Sequence, residues 1–438
     1  MTGYLLQHAW VEGRIRDAVR VDIEDGRFAR VTPDSGAADA ARVPGLTLPG
    51  FANTHSHAFH RALRGRTQTG GGTFWTWREQ MYAVASRLDP DSYYRLARAV
   101  YGEMLAAGYT AVGEFHYLHH QPDGTRYADP NAMGGALLAA AGDVGIRITL
   151  LDTLYLSSGF GAPPQGVQRR FDDRTPETWQ DRVAALRASV GPDDAARIGV
   201  AAHSVRAVPD TALKVFAPEV AAGGPVHVHL SEQVRENDEC RAAYGLTPTR
   251  LLAEHGVLGP TTSAVHATHL TEEDVRLLGE ARAFASFCPT TERDLGDGIG
   301  PSRRLTEAGA VVTLGSDSHA VIDPFEEMRA LELDERLASH QRGHWSAAEL
   351  LTAASAAGHR SLGFADAGEI AVGHRADLVT IELASPRTAG AGDDEHAAVF
   401  AAGAADVTRV MVDGRVVFDG DHGGIGAALR ETIGRIWP

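Results

Sequence analysis

A short run of apolar or β-branched residues, followed by a polar loop and then by a stretch of helical period, recurs eight times along the chain. The stretch 92–107 shows the helical period, because Tyr93, Leu96 and Val100 fall on one face. A second helix is predicted at 271–281, which opens with the capping sequence T-E-E-D. The eight apolar runs are predicted strands, at 46–57, 109–118, 147–156, 198–205, 226–232, 263–270, 284–291 and 311–318.

Strands that alternate with helices predict a parallel sheet. Eight repeats favour a closed (β/α)8 barrel, and an open, doubly wound α/β sheet is the alternative. The two ends of the chain differ from this pattern. Short β signals with period-two alternation at 19–23, 28–31, 377–381 and 410–418 predict further strands, and Asp413-Gly414 is a hairpin turn inside the last of them.

We therefore predict an α/β protein with two domains. A TIM-like barrel carries the catalytic residues, and a small β-sandwich domain is built from both termini of the chain. The predicted ranges are 48–367 for the metal-dependent (β/α)8 barrel, and 1–47 together with 368–438 for the β domain.

Composition excludes several classes of function. Lys+Arg 41 against Asp+Glu 57 gives a net charge of −16, which repels nucleic acids and anionic membranes. The chain has no run of 18 apolar residues and no secretory signal, so we expect a cytoplasmic protein. Cys240 and Cys288 are predicted to be small buried thiols outside any disulfide framework. The 20 histidines direct attention to metal or proton-transfer chemistry.

Histidines and acidic residues gather at the predicted strand ends. His55 and His57 lie two residues apart on a strand, so both imidazoles project to one side and can reach one cation. The carboxyl ends of barrel strands converge on one mouth, where three imidazole nitrogens and a carboxylate suit zinc or iron better than magnesium. The further residues at these ends are His227, His229, Glu232, His266, His269, Asp317 and His319.

This pattern resembles the amidohydrolase superfamily, in which a first-strand H-x-H, histidines on strands five and six and an aspartate on strand eight surround the metal. The fifth-strand sequence H-x-H-x-x-E is similar to that of the mononuclear deaminases. No lysine falls at 197–206, so a carbamylated lysine between two metals is not supported. The resemblance implies one divalent metal, with zinc expected first and iron as the alternative, and the ligands His55, His57, His229 and Asp317.

The same resemblance assigns the catalytic residues. Glu232, His266 and Asp317 would serve a metal-activated water, with Glu232 carrying protons to the nitrogen that leaves. The remaining histidines are expected to pack or to orient their neighbours: His227, His269 and His319. His119 and His120, after the second strand, are expected to face solvent or a loop.

Five segments resemble, more narrowly, the formimidoylglutamate deiminase family. This resemblance implies hydrolytic deimination of N-formimino-L-glutamate to N-formyl-L-glutamate and ammonia in histidine degradation, with water attacking the formimino carbon. The segments are P-G-F-A-N-T-H-S-H-A-F-H at 49–60, F-W-T-W-R-E-Q-M-Y at 74–82, E-F-H-Y-L-H-H at 114–120, H-S-V-R at 203–206 and C-P-T-T-E-R-D-L-G-D-G at 288–298.

Matched residue by residue, these segments imply five substrate-binding side chains. In a chain of charge −16, a dianionic small molecule must be captured by local guanidinium groups, and Arg78 and Arg206 can each pair with a carboxylate. His60 stands where the family usually has glutamine, which leaves the contact there open. The five are His60, Arg78, Tyr117, His203 and Arg206. The loop at 74–82 is interpreted as a lid or as a subunit contact, and a homodimer is expected from the family.

Two other functions stay open at this point. One is an aminohydrolase of the same architecture that acts on a purine, a pyrimidine or a nucleoside, which would have little use for two arginines directed at carboxylates. The other is a metal-binding barrel without turnover. That function would need an incomplete catalytic set, whereas Glu232, His266 and Asp317 are all present.

Overall fold

Fifteen strands and fifteen α-helices make up the computed structural model, which describes residues 2–36, 39–68, 72–191 and 195–437. The strands are β1 (Thr2–Val11), β2 (Arg14–Glu24), β3 (Arg27–Thr32), β4 (Ala41–Pro49), β5 (Phe51–Ser56), β6 (Tyr109–His116), β7 (Arg147–Leu154), β8 (Ala196–Ala202), β9 (Val226–Leu230), β10 (Thr262–His266), β11 (Phe284–Phe287), β12 (Val311–Leu314), β13 (Leu378–Ile381), β14 (Val407–Val412) and β15 (Arg415–Phe418).

The helices begin and end largely where capping residues and glycines predict. Helix α2 follows Asp89, whose carboxylate accepts a hydrogen bond from Ser92 N at 2.8 Å, and stops at Gly108 in a left-handed conformation. The helices are α1 (Phe74–Ala85), α2 (Pro90–Ala107), α3 (Ala132–Val144), α4 (Pro176–Ser189), α5 (Asp210–Leu213), α6 (Ala217–Ala222), α7 (Val234–Tyr244), α8 (Pro248–Glu254), α9 (Glu272–Glu280), α10 (Pro289–Leu295), α11 (Ser302–Ala308), α12 (Pro324–Ser339), α13 (Ala347–Thr352), α14 (Gly358–Ser361) and α15 (Gly423–Ile436).

The central sheet holds the eight strands β5 to β12, each parallel to its neighbour and in the order of the sequence. Its two outer strands meet, because Ser56 bridges Asp317 in parallel and Asp317 N donates to His55 O at 2.9 Å. A Cβ on Gly315 would lie 2.8 Å from His55 N, so only glycine allows this close approach. The closed barrel is confirmed, and the doubly wound alternative is wrong.

Both termini contribute to a second, mixed sheet of seven strands, ordered β15-β14-β13-β4-β1-β2-β3. The predicted hairpin is present, since Asp413 and Gly414 both adopt positive φ between β14 and β15. The chain passes from this sheet to the barrel at Gly50, between β4 and β5. Helix α15 packs against α2, and Trp437 Nε1 donates to Ala62 O at 2.9 Å. The predicted domain boundaries themselves stay a prediction.

Two expectations about segments and thiols are settled here. Both cysteines are buried and free. Residues 74–82, interpreted as a loop, are helical as part of α1. Thr73 N donates to the Thr76 hydroxyl oxygen at 2.9 Å, and Phe74, Met81 and Val84 share a buried face. Among the described helices, none is long and apolar enough to cross a membrane.

A buried ion cluster ties the barrel to the terminal sheet. Arg147, the first residue of β7, is fully buried and pairs with Asp377 through two nitrogens and with Asp413 at 2.8 Å. Burial opposes ionisation of Asp377, but Arg147 outweighs it and holds the pKa of that carboxyl below its usual value. The buried charge of Arg147 is stable at this site only while the two carboxylates are present.

We expect Asp377→Ala to destabilise the protein strongly, because Arg147 would keep its charge and lose its bidentate partner. Loss of one partner of a buried pair typically lowers the free energy of unfolding by about 3–5 kcal/mol. The measurement is the melting temperature by differential scanning calorimetry. Asp39→Ala is the matched control, since Asp39 pairs with Arg20 at 2.8 Å on the surface of the same sheet. Equal melting temperatures for the two variants would contradict the prediction.

Candidate metal centre and substrate pocket

Four side chains converge where the barrel closes. His55 and His57 stand at the end of β5, His229 at the end of β9, and Asp317 just after β12. One ligand atom from each lies within 4.8 Å of all the others, and all four residues are buried. His55 Nε2 is 3.1 Å from His229 Nε2, and Asp317 Oδ1 is 3.3 Å from His57 Nε2.

The donor chemistry of this cluster fits a divalent cation. His57 Nδ1 donates to Phe115 O at 2.9 Å and His229 Nδ1 to His203 O at 2.8 Å, because a carbonyl oxygen can only accept. In the neutral rings of His57 and His229, Nε2 therefore carries a lone pair, and that of His57 is directed at the Asp317 carboxylate at 3.3 Å. Such an arrangement repels itself unless a cation sits between the atoms, and hydrogen bonds from Nδ1 are the usual support of metal-binding histidines.

The backbone is strained at the strand ends that build this centre. Ser231, His266 and Asp317 adopt φ values of 51°, 68° and 39°, in the left-handed region that residues with a Cβ avoid. Each such residue typically costs of order 1–3 kcal/mol and persists only where surrounding structure enforces it. The strain lies where the chain turns from strand into loop at the mouth of the barrel.

A hydrogen-bonded group behind the metal centre holds the H-S-H segment. Glu114 on β6 accepts from Ser56 Oγ and from Ala58 N, both at 2.7 Å. His319 lies 3.1 Å from Ser56 Oγ through Nε2 and 2.9 Å from Ser316 Oγ through Nδ1. This arrangement agrees with the expectation that His319 orients its neighbours, and it fixes the backbone on both sides of the β5–β12 junction.

His266 lies among carboxylates beside the metal centre. Its Nε2 is 3.8 Å from Glu232 Oε1 and 3.9 Å from Asp317 Oδ2, while its Nδ1 is 3.3 Å from Glu292 Oε1. Burial opposes the charge on His266, but Glu232, Glu292 and Asp317 outweigh it and raise its pKa to about 10. Burial also raises the pKa of Glu232, against the attraction of His266 and Arg206. Protons can therefore be held at either group.

One pocket collects nearly every predicted site residue. Helix α1 forms one wall of this pocket, through side chains that include Phe74, Trp77 and Arg78. Tyr155, which follows β7, lines it as well. Of the predicted site residues, only His55 lies behind the lining; those that line the pocket are His57, His60, Arg78, Tyr117, His203, Arg206, His229, Glu232, His266 and Asp317.

The two predicted arginines lie in this pocket in different settings. Arg206 Nε is 3.3 Å from Glu236 Oε2, and Arg206 Nη2 is 3.9 Å from Glu232 Oε2. Arg78 stacks over Trp75 at 4.5 Å from the ring centroid, and its Nε is buried without a hydrogen-bond partner among the described residues. Arg206 Nε also lacks a hydrogen-bond partner among the described residues, so both arginines have donors to offer, and only Arg206 has a carboxylate at ion-pair distance.

The remaining predicted contacts are uncharged. Burial lowers the pKa of His60 to about 3, and its Nε2 lies 3.0 Å from the Tyr117 hydroxyl. Burial likewise lowers the pKa of His203 and raises that of Tyr117, so both stay neutral at pH 7. These groups can form neutral hydrogen bonds to a ligand.

Two carboxylates near the site were not found from the sequence. Glu236 is buried in the first turn of α7, and neither of its oxygens has a hydrogen bond among the described residues. In the sequence, the only indication of a role for Glu236 is that it lies four residues after Glu232. Glu292, in α10, also accepts from Cys288 N at 2.9 Å. It lies in the segment 288–298 singled out above, but nothing in that segment indicates a contact with His266, which only the fold creates.

The expectation that His119 and His120 face solvent or a loop holds only in part: neither faces solvent, and His120 contacts the loop at Asp172. His119 and His120 are buried, and their Nε2 atoms donate to backbone carbonyls, that of His119 to Thr153 O at 3.0 Å. His116, His119 and Asp152 form a second group with metal-ligand spacing. The Arg182 guanidinium already lies 2.7 Å from Asp152 Oδ1 and 3.0 Å from His119 Nε2, so this group has its cation.

His227 and His269 take the packing roles expected of them. His227 is fully buried within β9, two residues below His229, and burial lowers its pKa to about 3. His269 Nε2 lies 2.8 Å from Asp297 O. Neither ring lines the pocket.

Several known proteins are similar to this chain in sequence or in fold. The amidohydrolase family matches residues 46–417. Formimidoylglutamate deiminase of Pseudomonas aeruginosa is 40% identical, covering 98% of this chain and 96% of that protein. The 8-oxoguanine deaminase of the same organism is 31% identical over 90% of this chain and 88% of its own. The crystal structure of an amidohydrolase from Brucella melitensis superposes with a TM-score of 0.92 at 32% identity over all of both chains.

The pair His227 and His229 allows a matched test of the metal ligands. We expect His229→Asn to lose most of its bound divalent metal, because one imidazole lone pair is removed from the cluster. His227→Asn, on the same face of the same strand, is the control and should keep its metal. The measurement is metal content by inductively coupled plasma mass spectrometry, with circular dichroism to verify folding. If His227→Asn lost its metal and His229→Asn kept it, His229 could not be the ligand and the assignment would be overturned.

Proposed function

This chain belongs to the amidohydrolase family, and on that premise we propose that it hydrolyses N-formimino-L-glutamate to N-formyl-L-glutamate and ammonia. The observation that carries the proposal is a single pocket with two arginines and a buried His/Asp cluster. Identity of 40% across nearly the whole of a formimidoylglutamate deiminase supports the same reaction. The enzyme is a hydrolase that acts on a C–N bond of a linear amidine, a step of histidine degradation.

One divalent metal, zinc before iron, is proposed for the cluster of His55, His57, His229 and Asp317. Three imidazoles and one carboxylate are ligands that zinc and iron share. When bound, such an ion lowers the pKa of a coordinated water towards about 7. The residues around it do the remaining work.

Arg206 and Arg78 would bind the two carboxylates of the substrate. Both line the pocket, and guanidinium groups match carboxylates in bidentate geometry. His60, Tyr117 and His203 would contribute neutral hydrogen bonds. Because these three side chains are neutral, the charged groups of the substrate would be bound by others. The arginines would bind its carboxylates, and the Glu232 carboxylate would attract its cationic formimino group.

Glu232 and His266 would move the protons of the reaction. Hydrolysis breaks the bond from carbon to the imino nitrogen, forms a carbon–oxygen bond, and transfers both hydrogens of water to the nitrogen that leaves as ammonia. Glu232 lies 3.8 Å from His266 Nε2 and can carry protons to that nitrogen. His266, held by Glu292 at 3.3 Å through Nδ1, would keep its Nε2 directed at the reacting water.

A small substrate with two carboxylates is also the only partner that we propose, apart from a second copy of the chain. A homodimer and a cytoplasmic location are inferred from the family and from the catabolic reaction. Size-exclusion chromatography with light scattering tests the dimer directly.

The first test is ammonia release from N-formimino-L-glutamate, with adenosine, guanine and cytosine assayed beside it. We expect turnover of the formimino compound alone, lost with chelator and restored by zinc or iron. Turnover of a nucleobase instead would sink the proposal and favour the aminohydrolase alternative.

Glu232→Gln should keep its metal and lose most of its kcat, by about 100-fold or more, because general acid–base catalysis is worth that much.

Glu236 supplies a second test, as the carboxylate that holds Arg206. We expect Glu236→Gln to lower kcat/KM about tenfold, or about 1.4 kcal/mol, because the close ion pair with Arg206 would be lost. The buried guanidinium would lose its nearest anion and move towards Glu232, away from the substrate. Arg206→Ala should lose more, and Glu236→Asp less. Unchanged kcat/KM in Glu236→Gln, at normal metal content, would show that Glu236 does not position Arg206.

A further inference from the structure

A second cavity adjoins the substrate pocket on its outer side. The two cavities share three lining residues, Arg78, Ser158 and Arg206. The outer cavity extends from these residues to Trp75 on α1 and to Arg235 on α7. A ligand that moves from the outer cavity into the substrate pocket therefore passes the two arginines that the proposed function assigns to carboxylates.

The outer cavity is locally positive on a negative protein. Its charged lining consists of Arg78, Arg206 and Arg235 against a single acid, Glu239. The chain as a whole carries −16, so its long-range field repels a dianion. A dicarboxylate needs a nearby group of cations to approach this surface.

Two of these cations contact the ring of Trp75. The guanidinium carbon of Arg78 lies 4.5 Å from the ring centroid of Trp75, and that of Arg235 lies 4.7 Å from the same centroid. Contact with a ring fixes a guanidinium group while its in-plane N–H groups stay available for carboxylates. Arg235 Nε pairs with Glu239 Oε1 at 2.5 Å, which leaves its terminal nitrogens to the cavity.

We propose that the outer cavity is a binding site for dicarboxylates, in which Arg235 and Arg78 take one carboxylate of the substrate before Arg78 and Arg206 draw it into the pocket. The site rests on the proposed function for the identity of its substrate. Its own evidence is the paired guanidinium groups on Trp75 and the three residues shared with the pocket.

Two charge reversals on the same helix test the site. Arg235 and Arg241 both lie on α7, with 62% and 46% of their side chains exposed, and each pairs with an acid of its own helix. Only Arg235 lines the cavity. Arg235→Glu and Arg241→Glu therefore change the net charge equally and differ in where the charge lies.

We expect Arg235→Glu to lower kcat/KM for N-formimino-L-glutamate about tenfold at low ionic strength, with a smaller loss in kcat, and the deficit to shrink as salt is added. Arg241→Glu should stay within about twofold of the unmodified protein, because a distant surface charge acts only through the screened field. Equal losses in both variants, or no loss in Arg235→Glu, would overturn the site.

Binding of glutarate separates this inference from the proposed function. Glutarate carries two carboxylates and no formimino group, and its affinity for the metal-loaded protein and both variants can be measured by calorimetric titration. Weaker binding to Arg235→Glu than to Arg241→Glu supports the outer site even if the unmodified protein releases no ammonia, which would defeat the function alone. Equal binding to the two variants would defeat the site even if turnover is normal.

Discussion

Closure of the barrel between β5 and β12 is the constraint on which the rest of the structure depends. The backbone bond from Asp317 N to His55 O joins the first barrel strand to the last, and Gly315 permits the approach. Three of the four proposed metal ligands, His55, His57 and Asp317, sit on this junction. The barrel and the metal centre are thus one structural element, because the contact that completes the sheet also brings the histidines of β5 to the aspartate after β12.

Charge is distributed from this junction outwards in alternating shells. Asp317 faces the imidazoles, Glu232 and Glu292 face His266, and Glu236 faces Arg206. His266 and Arg206 each have a carboxylate nearby, which is the condition under which proteins tolerate ionised groups away from water. A substrate with two carboxylates and a cationic formimino group complements this pattern, with its anionic end towards the arginines and its cationic end towards Glu232.

The sequence predicted what is periodic and what lies at strand ends. Eight strand signals gave the barrel, and because parallel strands share one edge, the histidines and acids at the strand ends could be brought together without coordinates. The choice of His55, His229 and Asp317 among them came from the family resemblance. The sequence could not predict residues whose contacts depend on how separate helices and strands pack together. Glu292 meets His266 only because the fold brings α10 beside the end of β10, and His119 lies buried because Thr153 O, far along the chain, accepts from its Nε2. Helix α1 was taken for a loop because its aromatic residues hid the capping signal at Thr73.

The junction between β5 and β12 also orders events during synthesis. A polypeptide emerges from the ribosome amino end first, so the H-S-H motif is exposed long before Asp317 exists. Until β12 has been translated, the early histidines lack the partner strand that would complete their ligand set. The metal centre is therefore among the last parts of the barrel to become complete, and a chain terminated before β12 would have neither a closed barrel nor a full set of ligands.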